Sequence, residues 1–236
     1  IYHDMGLIGF LLTPLVCQIS VDLIATRDFA RRPLLWLDLI TRNGGTLSYS
    51  PTFGYELAAR RAQTASIDHL DLSRWRGAGI GGDMVRPDPL AVFAERFATR
   101  GFKASAFVPS YGMAETALAV SFAPTNQGIQ AERLDMDVLE HAQRATVATA
   151  ASSRTRDFVR CGPVLPLHEV QVRNDNGEVL QERHVGRLYV RGPSMMHSYF
   201  GQPEATAAVL SADGWLDTGD LGYLAEQQIV VTGRAK

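Results

Sequence analysis

Two short segments hold side chains that could do chemistry on a nucleotide. In Tyr111-Gly112-Met113-Ala114-Glu115-Thr116, an aromatic ring can stack on a purine, a hydroxyl can bond phosphate and a carboxylate can hold Mg²⁺. A capped helix end around a buried tyrosine fits the same residues. Asp213-Gly214-Trp215-Leu216-Asp217-Thr218-Gly219-Asp220 is dense in acids and glycines. An ionised carboxylate in such a turn can accept from both ribose hydroxyls, and an ordinary hairpin loop is the alternative. Arg234 follows Gly233 near the end of the chain, and His3-Asp4 stands at its start.

Other patterns exclude more than they suggest. Gly77, Gly79 and Gly82 spell GxGxxG, but Pro87 and Pro89 delay any helix and no ribose-binding acid lies about twenty residues on. A dinucleotide site is therefore rejected, and the glycines read as a tight turn or as backbone open to a flat ligand. His3-Asp4 has no second histidine cluster or HExxH to complete a metal site. The absence of G-x-S-x-G removes a serine-hydrolase reading.

The elements that must position these groups alternate between helical and strand-like patterns, as in α/β proteins. Helices are expected at Arg32–Arg42, Tyr55–Ala65, Leu90–Thr99 and Ala114–Phe122, and strands at Thr46–Tyr49 and Ala104–Val108, the latter stopping at Pro109. Residues 125–157 are polar and contain one helical piece, Met136–Arg144. From Val159 the pattern is β: Glu169–Val172, an Asp175-Asn176-Gly177 turn, Val179–Leu180, Gly186–Val190 and Ile229–Thr232, with one helix at Pro203–Val209. The expected division is an α/β portion over 1–123, an irregular connector or insertion over 124–158, and a β-rich portion over 159–236.

The 236 residues are 46% hydrophobic and 20% charged, enough for a buried core. With 23 basic against 25 acidic residues the net charge is −2, which argues against nucleic acid as a partner. Cys17 and Cys161 form no CxxC, and a reducing, cytoplasmic setting fits them. The apolar run Met5–Ile19 is too short to span a membrane, and a buried loop-helix is expected there.

In order and spacing, Tyr2-His3-Asp4-Met5-Gly6, the Tyr111–Thr116 segment, Gly214-Trp215 through Thr218-Gly219-Asp220, and Thr232-Gly233-Arg234-Ala235-Lys236 resemble four core motifs of the adenylate-forming superfamily. The YHDMGLIG opening, Arg32-Pro33 with Trp36-Leu37, Ser50-Pro51-Thr52-Phe53-Gly54-Tyr55 and Cys161-Gly162 most resemble the fatty acyl-AMP ligases. The resemblance implies a central piece of the family's large domain, with parallel-sheet α/β layers followed by a β-rich subdomain. It implies ATP and Mg²⁺, a fatty acid, and an acyl carrier protein or CoA as acceptor. It places Tyr111, with Gly112 and Met113, against adenine, Gly82 and Asp83 at the base edge, Glu115 on Mg²⁺ and Thr116 on the α-phosphate. Asp220 and Arg234 would hold the ribose, His3 would adjoin the acyl carboxylate, and Met5, Phe53 and Gly54 would line the acyl tunnel. Lys236 would belong to a hinge, not supply the lysine that supports adenylation. Neither the family's phosphate-gripping loop nor its small C-terminal domain is found, so this stretch alone is expected to be inactive. A CoA-forming synthetase and a non-catalytic adenylate-binding module are the competing readings.

Overall fold

The apolar opening run folds as a π-helical stretch, Met5–Leu12, that continues into the short helix α1 (Thr13–Cys17). In the computed structural model, which describes residues 2–235, only Pro14 of this run is buried. The expected buried loop-helix is thus not found: Leu12, Leu15, Val16 and Ile19 are exposed. A helix apolar on every side is ordinarily buried, so this run leaves an apolar surface bare. Among the described residues, no helix is long and apolar enough to cross a membrane.

Helices α2 (Thr26–Arg31) and α3 (Leu35–Asn43) follow, and α3 buries Trp36, Leu37 and Ile40 before Gly44 ends it in the left-handed region at φ +62°. Then come β1 (Leu47–Ser50), α4 (Thr52–Arg61), β2 (Gly77–Ile80), α5 (Pro87–Ala98) and β3 (Phe107–Tyr111). β1 pairs in parallel with β2, and β2 with Phe107–Pro109 of β3, as βαβ crossovers require. Gly77 and Gly79 are therefore not a turn but the interior of a fully buried strand. The reason is lateral packing: a Cβ on Gly79 would lie 2.1 Å from the Tyr49 ring, and one on Gly77 2.4 Å from Leu47 Cδ2. Side chains of β1 lie across β2, and only glycine leaves them room.

Ala104–Ala106 is a 3-10 turn, so the expected strand there begins three residues late and runs through Pro109. Pro109 serves as an acceptor, taking Ala123 N at 2.8 Å, so its missing N–H does not stop the strand.

The chain divides into two compact units, one reaching Pro109 and including Ala123–Ile129, the other comprising Ser110–Phe122 and the chain from Gln130. In the second, Ser110-Tyr111 pairs antiparallel with β4 (Ser121–Phe122). The helix expected over Ala114–Phe122 is only a 3-10 turn, Ala114–Thr116. Ala117 at φ +63° reverses the chain, and Val120 N returns to Tyr111 O at 2.8 Å. Gly112 permits this return, since a Cβ there would sit 2.0 Å from the Leu118 carbonyl oxygen.

The rest is an antiparallel six-stranded sheet. Its strands are β5 (Ala131–Asp135), β6 (Thr155–Pro163), β7 (Glu169–Arg173), β8 (Gly186–Arg191), β9 (Leu216–Ala225) and β10 (Gln228–Arg234), in the order β5-β6-β10-β9-β8-β7. Helices α6 (Met136–Ala142) and α7 (Pro203–Val209) lie between strands. Residues 124–158, expected as an irregular connector or insertion with one helical piece, hold α6 at that piece and also β5 and the start of β6. Leu134, Leu139, Ala145 and Phe158 pack there with Tyr223, Ala225 and Val230. Asp135 caps α6 by accepting from Asp137 N and Val138 N, the N-cap that opens the helix.

Candidate nucleotide site

The acid-rich segment near the end of the chain is a bulge in β9. Pairing with β8 jumps from Tyr189↔Asp217 to Arg187↔Leu221, so Thr218-Gly219-Asp220 stands opposite Leu188 alone. Gly219, at φ +71°, supplies the left-handed residue the bulge needs. Thr218 Oγ1 donates to Leu188 O at 2.8 Å and accepts from Asp220 N at 3.1 Å, which closes the bulge on itself.

Asp220 is thereby left 8% exposed with both carboxylate oxygens engaged. Tyr111 donates its hydroxyl to Oδ2 at 2.8 Å, and Arg234 donates Nε to Oδ1 at 2.8 Å. Burial, and then the Asp220 charge, push the Tyr111 phenol well above the usual tyrosine range. The Tyr111 hydroxyl is therefore committed as a donor. Three residues drawn from separate segments of the sequence meet here. An ionised carboxylate retains acceptor lone pairs after two such bonds.

Glu115 lies in a cleft of about 260 Å³ lined by Met113, Arg187, Tyr199, Asp217 and Thr218. Its Oε1 accepts the Tyr199 hydroxyl at 2.7 Å; Oε2 has no hydrogen-bond partner among the described residues. That bond first, and then burial, push the Tyr199 phenol up to about 12. Asp217 accepts from Arg187 Nη1 at 2.9 Å, Tyr189 Oη at 3.3 Å and Gly219 N at 2.9 Å. Thr116 is 1% exposed and donates its hydroxyl to Met113 O at 2.9 Å, so its one proton is used within the turn.

No group of three or more His, Cys, Asp or Glu side chains able to hold a metal exists among the described residues. That leaves no all-protein cage. One carboxylate with an open oxygen nevertheless fits Mg²⁺, which takes one or two carboxylates together with phosphate oxygens.

The first unit holds the other expected residues. His3 is exposed and paired with its neighbour Asp4. Gly82 adopts φ +79°, and a Cβ there would meet Met5 Cε at 3.3 Å, so Met5 and Gly82 are brought together. A Cβ on Gly54 would clash with Ser50 Oγ at 2.0 Å. Phe53 is 50% exposed, and Asp83, also exposed, uses Oδ1 to accept from Met84 N at 2.7 Å. Lys236 lies outside the described residues.

Sequence reasoning missed Tyr199, Arg187 and Asp217. Asp217 sat unassigned inside a quoted segment, whereas Tyr199 and Arg187 carry no spacing signal and become visible only once β8 and α7 are folded.

A family model described as AMP-binding enzyme matches residues 1–200. A putative acyl-CoA synthetase of Caulobacter vibrioides is 59% identical over 236 residues, covering 100% of this chain and 41% of that protein. A medium-chain-fatty-acid–[acyl-carrier-protein] ligase of Teredinibacter turnerae is 32% identical over 250 residues, covering 100% of this chain and 39% of that one. One of the solved structures of fatty acyl-adenylate ligases from E. coli and L. pneumophila superposes with a TM-score of 0.93 at 47% identity, over 99% of this chain and 42% of its own. The chain spans about two fifths of the length of these relatives.

Proposed function

The chain belongs to the AMP-binding enzyme family, and from that premise we infer that it carries the nucleotide side of an enzyme that activates fatty acids as acyl-adenylates. The observation that carries this reading is the bond from Tyr111 to Asp220, an aromatic ring locked to a buried carboxylate. It joins two of the motif segments across more than a hundred residues.

In the proposed reaction a fatty carboxylate oxygen attacks the α-phosphorus of ATP. The bond from that phosphorus to the pyrophosphate oxygen breaks, and acyl-AMP and pyrophosphate result. A carrier-protein phosphopantetheine thiol then attacks the acyl carbon and releases AMP. The protein does little covalent work in such displacements; orientation and charge placement dominate. Tyr111 offers the adenine a fixed ring. Asp220 accepts from the ribose hydroxyls, and Arg234 keeps that carboxylate aimed. Glu115 would hold Mg²⁺ with its carboxylate, and that ion would supply neutralising charge to the phosphate oxygens. Thr116 reaches the α-phosphate by turning its hydroxyl away from Met113. His3 is assigned to the acyl carboxylate, and Met5, Phe53 and Gly54 to the acyl chain.

A second reading, transfer to CoA, is favoured by the 59% identity to a putative acyl-CoA synthetase. The test is to supply the full-length protein with ATP, Mg²⁺, a medium-chain fatty acid and CoA, and to identify the products by mass spectrometry. Persistent acyl-AMP is expected; accumulation of acyl-CoA selects the second reading, and formation of neither product sinks both.

A further inference from the structure

Tyr199 lies in none of the segments that carry the resemblance, yet its hydroxyl donates to Glu115 Oε1 at 2.7 Å. The backbone around this contact is tied on both sides. Met196 N donates to the Glu115 carbonyl at 2.7 Å, which joins the loop before Tyr199 to the Ala114–Thr116 turn. Tyr199 N donates to Thr206 Oγ1 at 3.0 Å, and the Tyr199 carbonyl accepts from Gln202 N at 3.1 Å, which joins the loop to α7. A phenol on a fixed backbone has few rotamers, so its single donor points one way. A glutamate side chain is longer and freer, and ordering it for a ligand costs entropy.

We propose that Tyr199 is a positioning residue for Glu115: by holding Oε1 it restricts the carboxylate to one arrangement and leaves Oε2 as the oxygen for a metal. This rests on the reading of Glu115 as the magnesium carboxylate given above. Groups that hydrogen-bond a ligating carboxylate set its orientation, and their loss weakens metal binding or activity about 10- to 100-fold.

The experiment uses the full-length protein saturated with a non-hydrolysable ATP analogue and titrated with Mn²⁺, read by water-proton relaxation. Tyr199→Phe removes the hydroxyl and keeps the ring. It is expected to raise the apparent Mn²⁺ dissociation constant about tenfold, with the melting temperature unchanged. In turnover the Mg²⁺ requirement rises, the KM for fatty acid stays the same, and the rate returns at saturating Mg²⁺. A parental Mn²⁺ affinity in Tyr199→Phe overturns the proposal. If Glu115→Gln still weakens Mn²⁺ binding in that case, only the Tyr199 role falls; if it does not, the assignment of Glu115 falls as well. Should Tyr199→Phe fail to fold, Thr206→Val keeps the phenol and loosens its backbone. A rise of about threefold, the worth of one modest hydrogen bond, is expected there, and no rise overturns the proposal.

Discussion

In the first unit Trp36, Tyr55, Trp75, Phe93, Phe97, Phe102 and Phe107 interlock with ring centroids 4.6 to 6.5 Å apart, mostly edge to face. In the second, the recurrent feature is a carboxylate held by a phenol: Asp220 by Tyr111, Glu115 by Tyr199, Asp217 by Tyr189 and Glu132 by Tyr223. The ligand-directed groups differ in the same way. Gly54 and Gly82 of the first unit leave room for Ser50 and Met5, and its polar candidates, His3 and Asp83, are exposed. Every acid assigned a role in the second is fixed by a named donor. An apolar core fixes backbone cheaply, whereas a charge drawn out of water must be given hydrogen bonds. Damage to the first unit should therefore be felt as lost stability, and damage to the second first as lost function.

Two substitutions could break that contrast. Phe93 is fully buried against six other rings, and Phe93→Ala should cost about 3–5 kcal/mol in transfer and cavity terms. Hydrogen exchange read unit by unit in the full-length protein checks it. Protection should fall in β2 and α5 and hold in β9; an equal fall in both would merge the units into one cooperative block. Glu115→Gln should lower fatty-acid-dependent pyrophosphate release about a hundredfold, equivalent to about 2.7 kcal/mol in the barrier, with hydrogen exchange unchanged. Retained activity would remove Glu115 from the metal role, and a loss of protection would make it structural.

Why the sequence was legible in some places and opaque in others follows from where each signal resides. α7 and the Asp175-Asn176-Gly177 turn are set by local chemistry, proline in a first turn and a glycine at φ +82°, and fold where expected, whereas α5, expected from Leu90, begins three residues earlier because Pro87 fits its first turn and does not delay it. The fold class and the meeting of Tyr111, Asp220 and Arg234 were reached through motif order, and no local periodicity contains them. β2 was opaque because glycine signals a turn locally, while its reason here is Tyr49 lying across it from β1. Ala114–Phe122 misled because its residues suit a helix, and only the return of Leu118 over Gly112 forbids one. The strand reading of Gly79 can be sharpened directly. Gly79→Ala puts a methyl against the Tyr49 ring and should cost about 1–3 kcal/mol by overpacking, seen as a lower urea midpoint. A neutral result would mean that Tyr49 does not pack over β2.

The smallest effect expected is the most exacting test of the second unit, because it is made far from the nucleotide site. Tyr223 is fully buried and donates to Glu132 Oε1 at 2.7 Å, while Arg183 donates to Oε2 at 2.9 Å. Glu132 lies on β5, inside the stretch whose composition suggested an irregular connector. If β5 is part of the sheet, Tyr223→Phe leaves the carboxylate still held by arginine and should cost only about 1 kcal/mol. Cys161 on β6 can report so small a change. Its thiol is buried, and burial pushes it up to about 12, so it alkylates only when the sheet opens, whereas Cys17 is exposed and serves as the internal control. Where reclosing is fast, the alkylation rate follows the opening equilibrium, and 1 kcal/mol becomes an increase of about fivefold at Cys161 with none at Cys17. An unchanged Cys161 rate would show that the Glu132 cluster does not hold β5 to the sheet, and the contrast between the units would then stop at the nucleotide site.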